Sequence, residues 1–369
     1  MKIKTITCHN VYNYGASLQA YSLMCYLEKF GHDVEVIDYM PKYIRDSLSI
    51  WYMGKKWRKK NIFIRFAFYM YVVPIRLRQN KMRSKFKDFN ARYLKLTSRY
   101  NTYKELKNNP PIADIYMCGS DQIWNTTINN GLDPAFYCDF APTGKIRASY
   151  AASFSVSSLP EEHKQFVMSK IHKMDYISVR EKSGLKILNG LGFDNGVLVV
   201  DPVFLQTKEH WLSMCNKPRY NNYILIYDQE NNKTIKEIAI NLAKKTRKAI
   251  IALRNLYPMT YADIQIKNAG PLDFIGLISC ADLVITNSFH CSAFSIIMER
   301  DFFVVPRTFQ KVNSRMSDLL EYVGIEDRLI SSVDNVNQVA NIDYADVKEK
   351  LNILIDKSCK YINTVLSKK

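Results

Sequence analysis

The chain has 369 residues, 47% of them hydrophobic, and a formal charge of +17. That length exceeds one ordinary core and suits two domains of roughly 100 to 200 residues each. No Gly/Ser-rich or Gln-rich tract and no fixed-period repeat occurs, which argues against a disordered chain or a solenoid.

In chain order, Lys2 to Thr7 alternates polar and apolar residues and reads as a first strand, without the continuous apolar stretch of a secretory signal. Cys8 to Ser17 follows as a polar loop, Leu18 to Phe30 as an amphipathic helix, Gly31 to Asp33 as a stop, and Val34 to Tyr39 as a second strand. This is a β-α-β unit.

The charge then concentrates. Between Trp51 and Tyr100, fifteen Lys or Arg stand against Asp88 alone, a net +14 that leaves +3 for the rest of the chain. Trp51, Tyr52, Trp57, Phe63, Phe66, Phe68, Tyr69 and Tyr71 interleave with them, and the apolar run Asn61 to Ile75 carries Arg65. The run is too short and too charged to span a bilayer, which takes about 20 apolar residues. A segment lying on an anionic membrane, a solvated helical hairpin and a nucleic-acid patch compete for this stretch. Basic residues with bulky aromatics on a helix favour the membrane surface. No recognised nucleic-acid motif is present, so no nucleic-acid partner is expected.

After this insertion, Asp114 to Cys118 is a short strand emptying into the polar turn Gly119 to Asn125, and Ala148 to Phe154 is another strand. A helix over Pro160 to Asp175, a strand over Tyr176 to Val179, a short helix over Ser183 to Leu188 and a strand over Val197 to Val200 follow, the last closed by Asp201-Pro202. The pattern breaks between Phe204 and Asn222. A second series then begins: strand Tyr223 to Tyr227, helix Lys233 to Thr246, strand Ala249 to Leu253, helix Pro271 to Cys280, strand Asp282 to Thr286, helix Cys291 to Met298 and strand Phe302 to Val305. Such alternation predicts an α/β protein with a parallel sheet in each half and the two halves facing one cleft. The expected bounds are 1–210 for the first domain, with the basic insertion at about 45–108, then 220–340 for the second domain and a helix over 341–369.

The eight cysteines form no C-x-x-C pair and mostly sit in apolar runs. Reduced thiols in a cytoplasmic protein are expected, with neither disulfides nor a structural metal.

The stretch Ala281 to Phe294 is an apolar strand that stops at Asn287-Ser288-Phe289-His290 and becomes a small-residue helix. A helix start offers unpaired N–H groups and partial positive charge, and a parallel strand's end opens into the crevice where such sheets bind ligands. His290 there can face an anion or simply satisfy the helix start. Asn287, Ser288 and Ser292 add polarity that a simple turn would not need, which favours function.

Asn13 to Ala20, Gly119-Ser120-Asp121-Gln122-Ile123-Trp124-Asn125, Val179-Arg180-Glu181 with Ser183, Asp201-Pro202 and Ser288-Phe289-His290, in this order, resemble the polysaccharide pyruvyl transferase family over residues 1 to about 305. The resemblance implies a GT-B-like pair of Rossmann-like domains. It also implies transfer of the enolpyruvyl unit of phosphoenolpyruvate to a sugar, giving a pyruvate ketal, with no cofactor beyond that donor. On this reading His290 is the general acid for the donor's methylene carbon and Arg180 grips the donor's anionic groups. Asn13, Gly15 and Ser17 line the opposite wall, and Asn287 and Ser288 belong to the binding surface. Better-known members carry an arginine where this chain has Ser288, and Arg254, after the strand Ala249 to Leu253, is the expected replacement.

Alternatives stay open for several of these residues. Arg180 can form a surface salt bridge, Asp121 can be a base for the sugar hydroxyl or an N-cap, and Asn13 to Ser17 can be an ordinary turn. His9 reads as structural and His32 as solvated. The acceptor is expected to be a lipid-linked sugar met at the inner membrane face, with the protein peripheral to it. A glycosyltransferase of similar architecture using a nucleotide sugar is the alternative enzyme, Glu299 keeping a ribose contact open, and a non-catalytic membrane scaffold is the alternative of another class.

Overall fold

The computed structural model describes residues 1–253, 258–308, 313–336 and 339–367. Strand β1 (Lys2–Ile6) has the alternation of a half-buried strand, yet it lies inside a parallel sheet and is covered on both faces. Lys4 is therefore buried, and it survives there by pairing with Glu35 on the neighbouring strand β2 (Asp33–Val36). With β3 (Ile115–Cys118) and β4 (Ile146–Ser149) these strands form a sheet in the order β2-β1-β3-β4, all parallel. Single bridges Ala148 to Tyr176 and Ala152 to Val179 carry it on to the parallel pair β5 (Ser178–Val179) and β6 (Val197–Leu198).

Helix α1 (Tyr14–Glu28) begins four residues earlier than the apolar pattern predicts. The Asn13 side chain accepts from the Ala16 N–H and so caps the start, which turns the supposed loop residues Gly15 and Ser17 into a first helical turn. Leu18, Leu23 and Leu27 are fully buried below it, each contributing about 1.5–3 kcal/mol. The ring of Tyr14 stacks on Phe274 of the second half at 4.6 Å and 8°. One apolar core thus runs through both halves and fixes the start of α1 against the second sheet.

The basic insertion folds as α2 (Lys42–Ser47), α3 (Lys55–Arg58), α4 (Ile62–Arg78), α5 (Asn80–Tyr93) and α6 (Tyr103–Asn108). Helix α5 belongs to the core, because Phe86 and Phe89 are buried and Phe86 stacks on Tyr14 at 5.3 Å. Helix α4 buries no residue at all. Among the described residues no helix is long and apolar enough to cross a membrane.

Helices α7 (Glu161–Ile171), α8 (Lys182–Gly190) and α9 (Lys208–Met214) lead to the second sheet. There β7 (Tyr223–Tyr227), α10 (Lys233–Thr246), β8 (Ala249–Leu253), β9 (Ile264–Ile266), α11 (Pro271–Ser279), β10 (Leu283–Thr286), α12 (Phe289–Ile297) and β11 (Asp301–Val304) alternate. The parallel order is β11-β10-β7-β8-β9, a second Rossmann-like sheet. Helices α9 and β9's edge strand have short, weakly periodic sequences and were not expected from the pattern, nor was α13 (Ser314–Val323). After α14 (Val333–Val336), α15 (Tyr344–Ser367) crosses back to the first sheet. Tyr361 Oη donates to the Ser149 carbonyl at 2.7 Å, and Ser358 Oγ accepts from the Val200 N–H at 2.9 Å.

Candidate active site

The site forms where the C-terminal ends of the two sheets meet. His290 is the second residue of α12, just past β10, and its ring lies over the start of α1. A Cβ built on Gly15 would fall 2.0 Å from His290 Nδ1, so the approach requires glycine at position 15. The ring is nearly buried and sits at the junction of the halves, with only 8% of the side chain exposed.

Asp201 faces the other edge of the imidazole, its Oδ2 3.5 Å from His290 Nε2. The same oxygen accepts from Arg180 Nη1 at 2.5 Å and from Ser120 Oγ at 3.0 Å, while Oδ1 accepts from the Val203 N–H. Burial alone would raise this carboxyl, but His290 and then Arg180 hold it well below the usual carboxylate range. Asp201 belongs to the Asp201-Pro202 motif in the sequence, but no site role is assigned to it there. It closes the buried run Val197 to Val200, and an acid at the end of such a run is itself a signal.

Arg180, at the end of β5, is buried and no surface salt bridge. Its guanidinium lies 4.3 Å from the centre of the Phe289 ring, with Asp121 at 3.5 Å and Glu181 at 3.9 Å besides Asp201. Burial would lower its pKa, and Asp201, Asp121 and Glu181 together raise it instead. Glu181 accepts from Ser153 Oγ and the Ser155 N–H through Oε1, and burial raises its carboxyl. Asp121 sits with φ 68 in the turn after β3 and faces arginines, with Arg315 at 4.0 Å on its other side; no helix is capped by its side chain. Arg315, the second residue of α13, was missed; it shares the helix face of Leu319 and Val323, and a cation on an apolar face was its signal.

Other predicted residues are placed differently. The Asn13 amide oxygen is used in the cap of α1. Asn287 is spent on the sheet's own end, donating to Asp228 at 2.7 Å and accepting from the Gln229 N–H at 2.9 Å, so neither end of its amide is free for a ligand. Ser288 starts α12, and its N–H donates to Thr286 Oγ1. Ser17 Oγ is buried without a hydrogen-bond partner among the described residues. Arg254 lies outside the described residues. His9 is buried and tied to the Thr7 carbonyl, whereas His32 lies beside the amino terminus.

Arg180, Asp201, Phe289 and Arg315 line a cavity of about 30 Å³. That holds roughly one water-sized group. Among the described residues the two most spacious cavities, about 580 and 570 Å³, lie away from His290: one at the elbow between α4 and α5, the other between the β5–β6 edge and α15. Neither is lined by Arg180, Asp201, His290 or Arg315. Among the described residues no group of three or more His, Cys, Asp or Glu side chains is arranged to hold a metal.

The family model for polysaccharide pyruvyl transferase matches residues 13–308, a span that contains Gly15, Arg180, Asp201 and His290. No curated protein matches the sequence. Among solved structures, the chain is similar to a protein from Listeria monocytogenes assigned as a UDP-N-acetylglucosamine 2-epimerase, at TM-score 0.56 and 12% identity over 96% of this chain and 90% of that one. It is also similar to the Methanocaldococcus jannaschii UDP-GlcNAc 2-epimerase solved with UDP-GlcNAc and UDP, at TM-score 0.51 and 14% identity over 100% and 99%. At such identities these likenesses speak for a GT-B architecture and leave the chemistry to the site.

Proposed function

The chain belongs to the polysaccharide pyruvyl transferase family, and from that premise we propose that it moves the enolpyruvyl unit of phosphoenolpyruvate onto two hydroxyls of a sugar in a surface-polysaccharide precursor. The observation that carries this reading is the meeting of His290, from the second half, with Gly15, Asp201 and Arg180 of the first.

The chemistry needs a proton for the donor's methylene carbon as one sugar hydroxyl bonds to the adjacent carbon. A second hydroxyl then displaces phosphate from that carbon and closes the ketal. Of the two hydroxyl protons, one ends in the new methyl group and the other on phosphate. His290 supplies the proton to carbon, and Asp201 fixes the imidazole's orientation against Gly15. Arg180 holds the donor's anionic groups over Phe289. Asp121, which faces both guanidiniums, accepts the acceptor's hydroxyl proton. A cavity of about 30 Å³ is too small for the donor, so its walls part to admit it.

The acceptor is presented on a lipid at an anionic membrane face, with α4 as the contact. Phe63, Phe66, Met70 and Tyr71 recur at helical spacing and are 81%, 65%, 63% and 61% exposed. Lys56, Arg58, Lys59 and Lys60 lie exposed just before them. Such a face combines apolar area with the charge that anionic lipid attracts.

The deciding experiment incubates the protein with phosphoenolpyruvate or UDP-sugars and a lipid-linked galactose acceptor, then weighs the product. A pyruvate ketal with release of inorganic phosphate is expected; gain of a hexose from the UDP-sugar would reject the reading.

A further inference from the structure

Arg180 and Arg315 come from opposite halves of the molecule and share one aromatic ring, their guanidinium carbons 4.3 and 6.0 Å from the Phe289 centroid. Both are buried, 7% exposed as residues, and both line the same small cavity. Two guanidiniums on one ring repel each other in a setting where water cannot screen them. The neighbouring acids offset part of that charge: Asp201 accepts from Arg180 Nη1 while also facing Ser120 and His290, Glu181 spends Oε1 on Ser153 and Ser155, and Asp121 stands 3.5 Å from Arg180 and 4.0 Å from Arg315, beyond a good hydrogen bond to either.

The donors are not all satisfied. Nε and Nη2 of Arg180 and Nε of Arg315 are buried with no hydrogen-bond acceptor among the described residues. Buried guanidinium N–H groups left open are costly, so an arrangement that keeps three of them is explained when an acceptor arrives from outside the chain. The far edge of Arg315 is already pinned. With the Gln122 amide turned so that its oxygen faces the arginine, that oxygen accepts from Nη1 at 3.1 Å and from Nη2 at 2.9 Å. Gln122 and Asp121 are adjacent in the polar turn after β3, so one turn braces Arg315 through an amide and faces Arg180 through a carboxylate.

We infer that Arg315 is a second donor-binding residue, closing on the anionic groups of phosphoenolpyruvate from the α13 side while Arg180 holds them from the β5 side. The inference rests on the pyruvyl-transfer reading for the identity of the ligand, and on the open donors for the existence of the anion site. Phosphoenolpyruvate carries two anionic groups, a phosphate and a carboxylate, and two forks beside one ring match it better than one. Burial, and then the nearby charge of Arg180, push the Arg315 guanidinium down to about 10, which agrees with a cation waiting for a counter-ion. Because Arg315 belongs to the second half and Arg180 to the first, the ligand also bridges the two halves.

Calorimetric titration of wild type, R315Q and R315K with phosphoenolpyruvate and, separately, with inorganic phosphate tests this. R315Q is expected to weaken phosphoenolpyruvate binding by roughly tenfold or more, the effect of losing a hydrogen bond to a charged group. R315K retains a point charge without the fork and should fall between. Unchanged affinity in R315Q, with wild-type circular dichroism, overturns the assignment of Arg315 while leaving the donor reading in place. Should R315Q not fold, R315K decides: wild-type affinity overturns the assignment, and weakened affinity supports it. Wild-type protein that binds phosphate but not phosphoenolpyruvate overturns the donor reading; loss of that phosphate binding in R315Q still supports an anion site at Arg315, and its retention does not.

Discussion

The junction of the two sheets and helix α4 both concentrate arginine or lysine, and they hold them in opposite ways. At the junction Arg180, Arg315 and His290 are buried, each within 4.0 Å of a carboxylate. Along α3 and α4 the cations stand mostly in solvent beside exposed aromatics, and Asp88 is the one acid between Trp51 and Tyr100. A buried cation is expensive unless neighbours fix it, so the junction yields orientation and little response to salt. An exposed cluster yields a field, which is long-ranged, tolerant of position and screened by salt. Charge at the first place selects a geometry, and at the second it selects a surface.

Changes at the junction should therefore be large and insensitive to ionic strength. Asp201→Asn is expected to have the greatest effect, costing about 3–5 kcal/mol in urea unfolding because Arg180 loses its buried counter-charge. The pH dependence follows from the lowered carboxyl. Its contribution is complete above the unfolded value near pH 3.9 and is lost as pH falls toward the lower folded value. Wild type should thus lose stability below about pH 4 more steeply than D201N; parallel curves would mean that Asp201 is not held in this way.

His290→Gln should reduce ketal formation by roughly a hundredfold or more in protein whose circular dichroism shows that it is folded. Full activity in H290Q would remove the imidazole from the mechanism and favour a scaffold. Gly15→Ala comes next. The added methyl meets the imidazole at 2.0 Å and should cost about 1–3 kcal/mol, with activity falling as the ring is displaced. An alanine variant with normal turnover would show that the ring has room to spare.

The smallest effects belong to the exposed cluster. A single Lys→Gln change at Lys56, Lys59 or Lys60 should weaken binding to anionic vesicles about fivefold, from roughly 1 kcal/mol per cation. Raising salt should erase the difference. Equal binding of wild type and a Lys55, Lys56, Lys59 and Lys60 quadruple Gln variant, or equal binding to neutral vesicles, would dissolve the contrast between the two regions.

Sequence patterns made the opening of the second half legible to the residue, though not β9 or α13. Tyr223–Tyr227, Lys233–Thr246 and Ala249–Leu253 stand as read, because each is an unbroken apolar run or a full amphipathic stripe bounded by polar residues. The first turn of α1 was hidden because Gly15, Ala16 and Ser17 look like a loop unless Asn13 is recognised as its cap. Small-residue helix turns pack closely, and here closeness is what seats His290. Of the site, the histidine and Arg180 were visible in local motifs. Asp201 was visible as part of a motif but without a role, and Arg315 was not visible at all, since their partners stand far away in sequence and only the fold brings them together.

Helix α15 has a consequence for how such a molecule comes into being. Tyr361 and Ser358 complete the hydrogen bonding of Ser149 and Val200, so the first half lacks part of its covering until residues some 200 positions downstream have been made. During synthesis the amino-terminal half would emerge from the ribosome with the flank around Val200 still bare, a surface for chaperones or for misassembly.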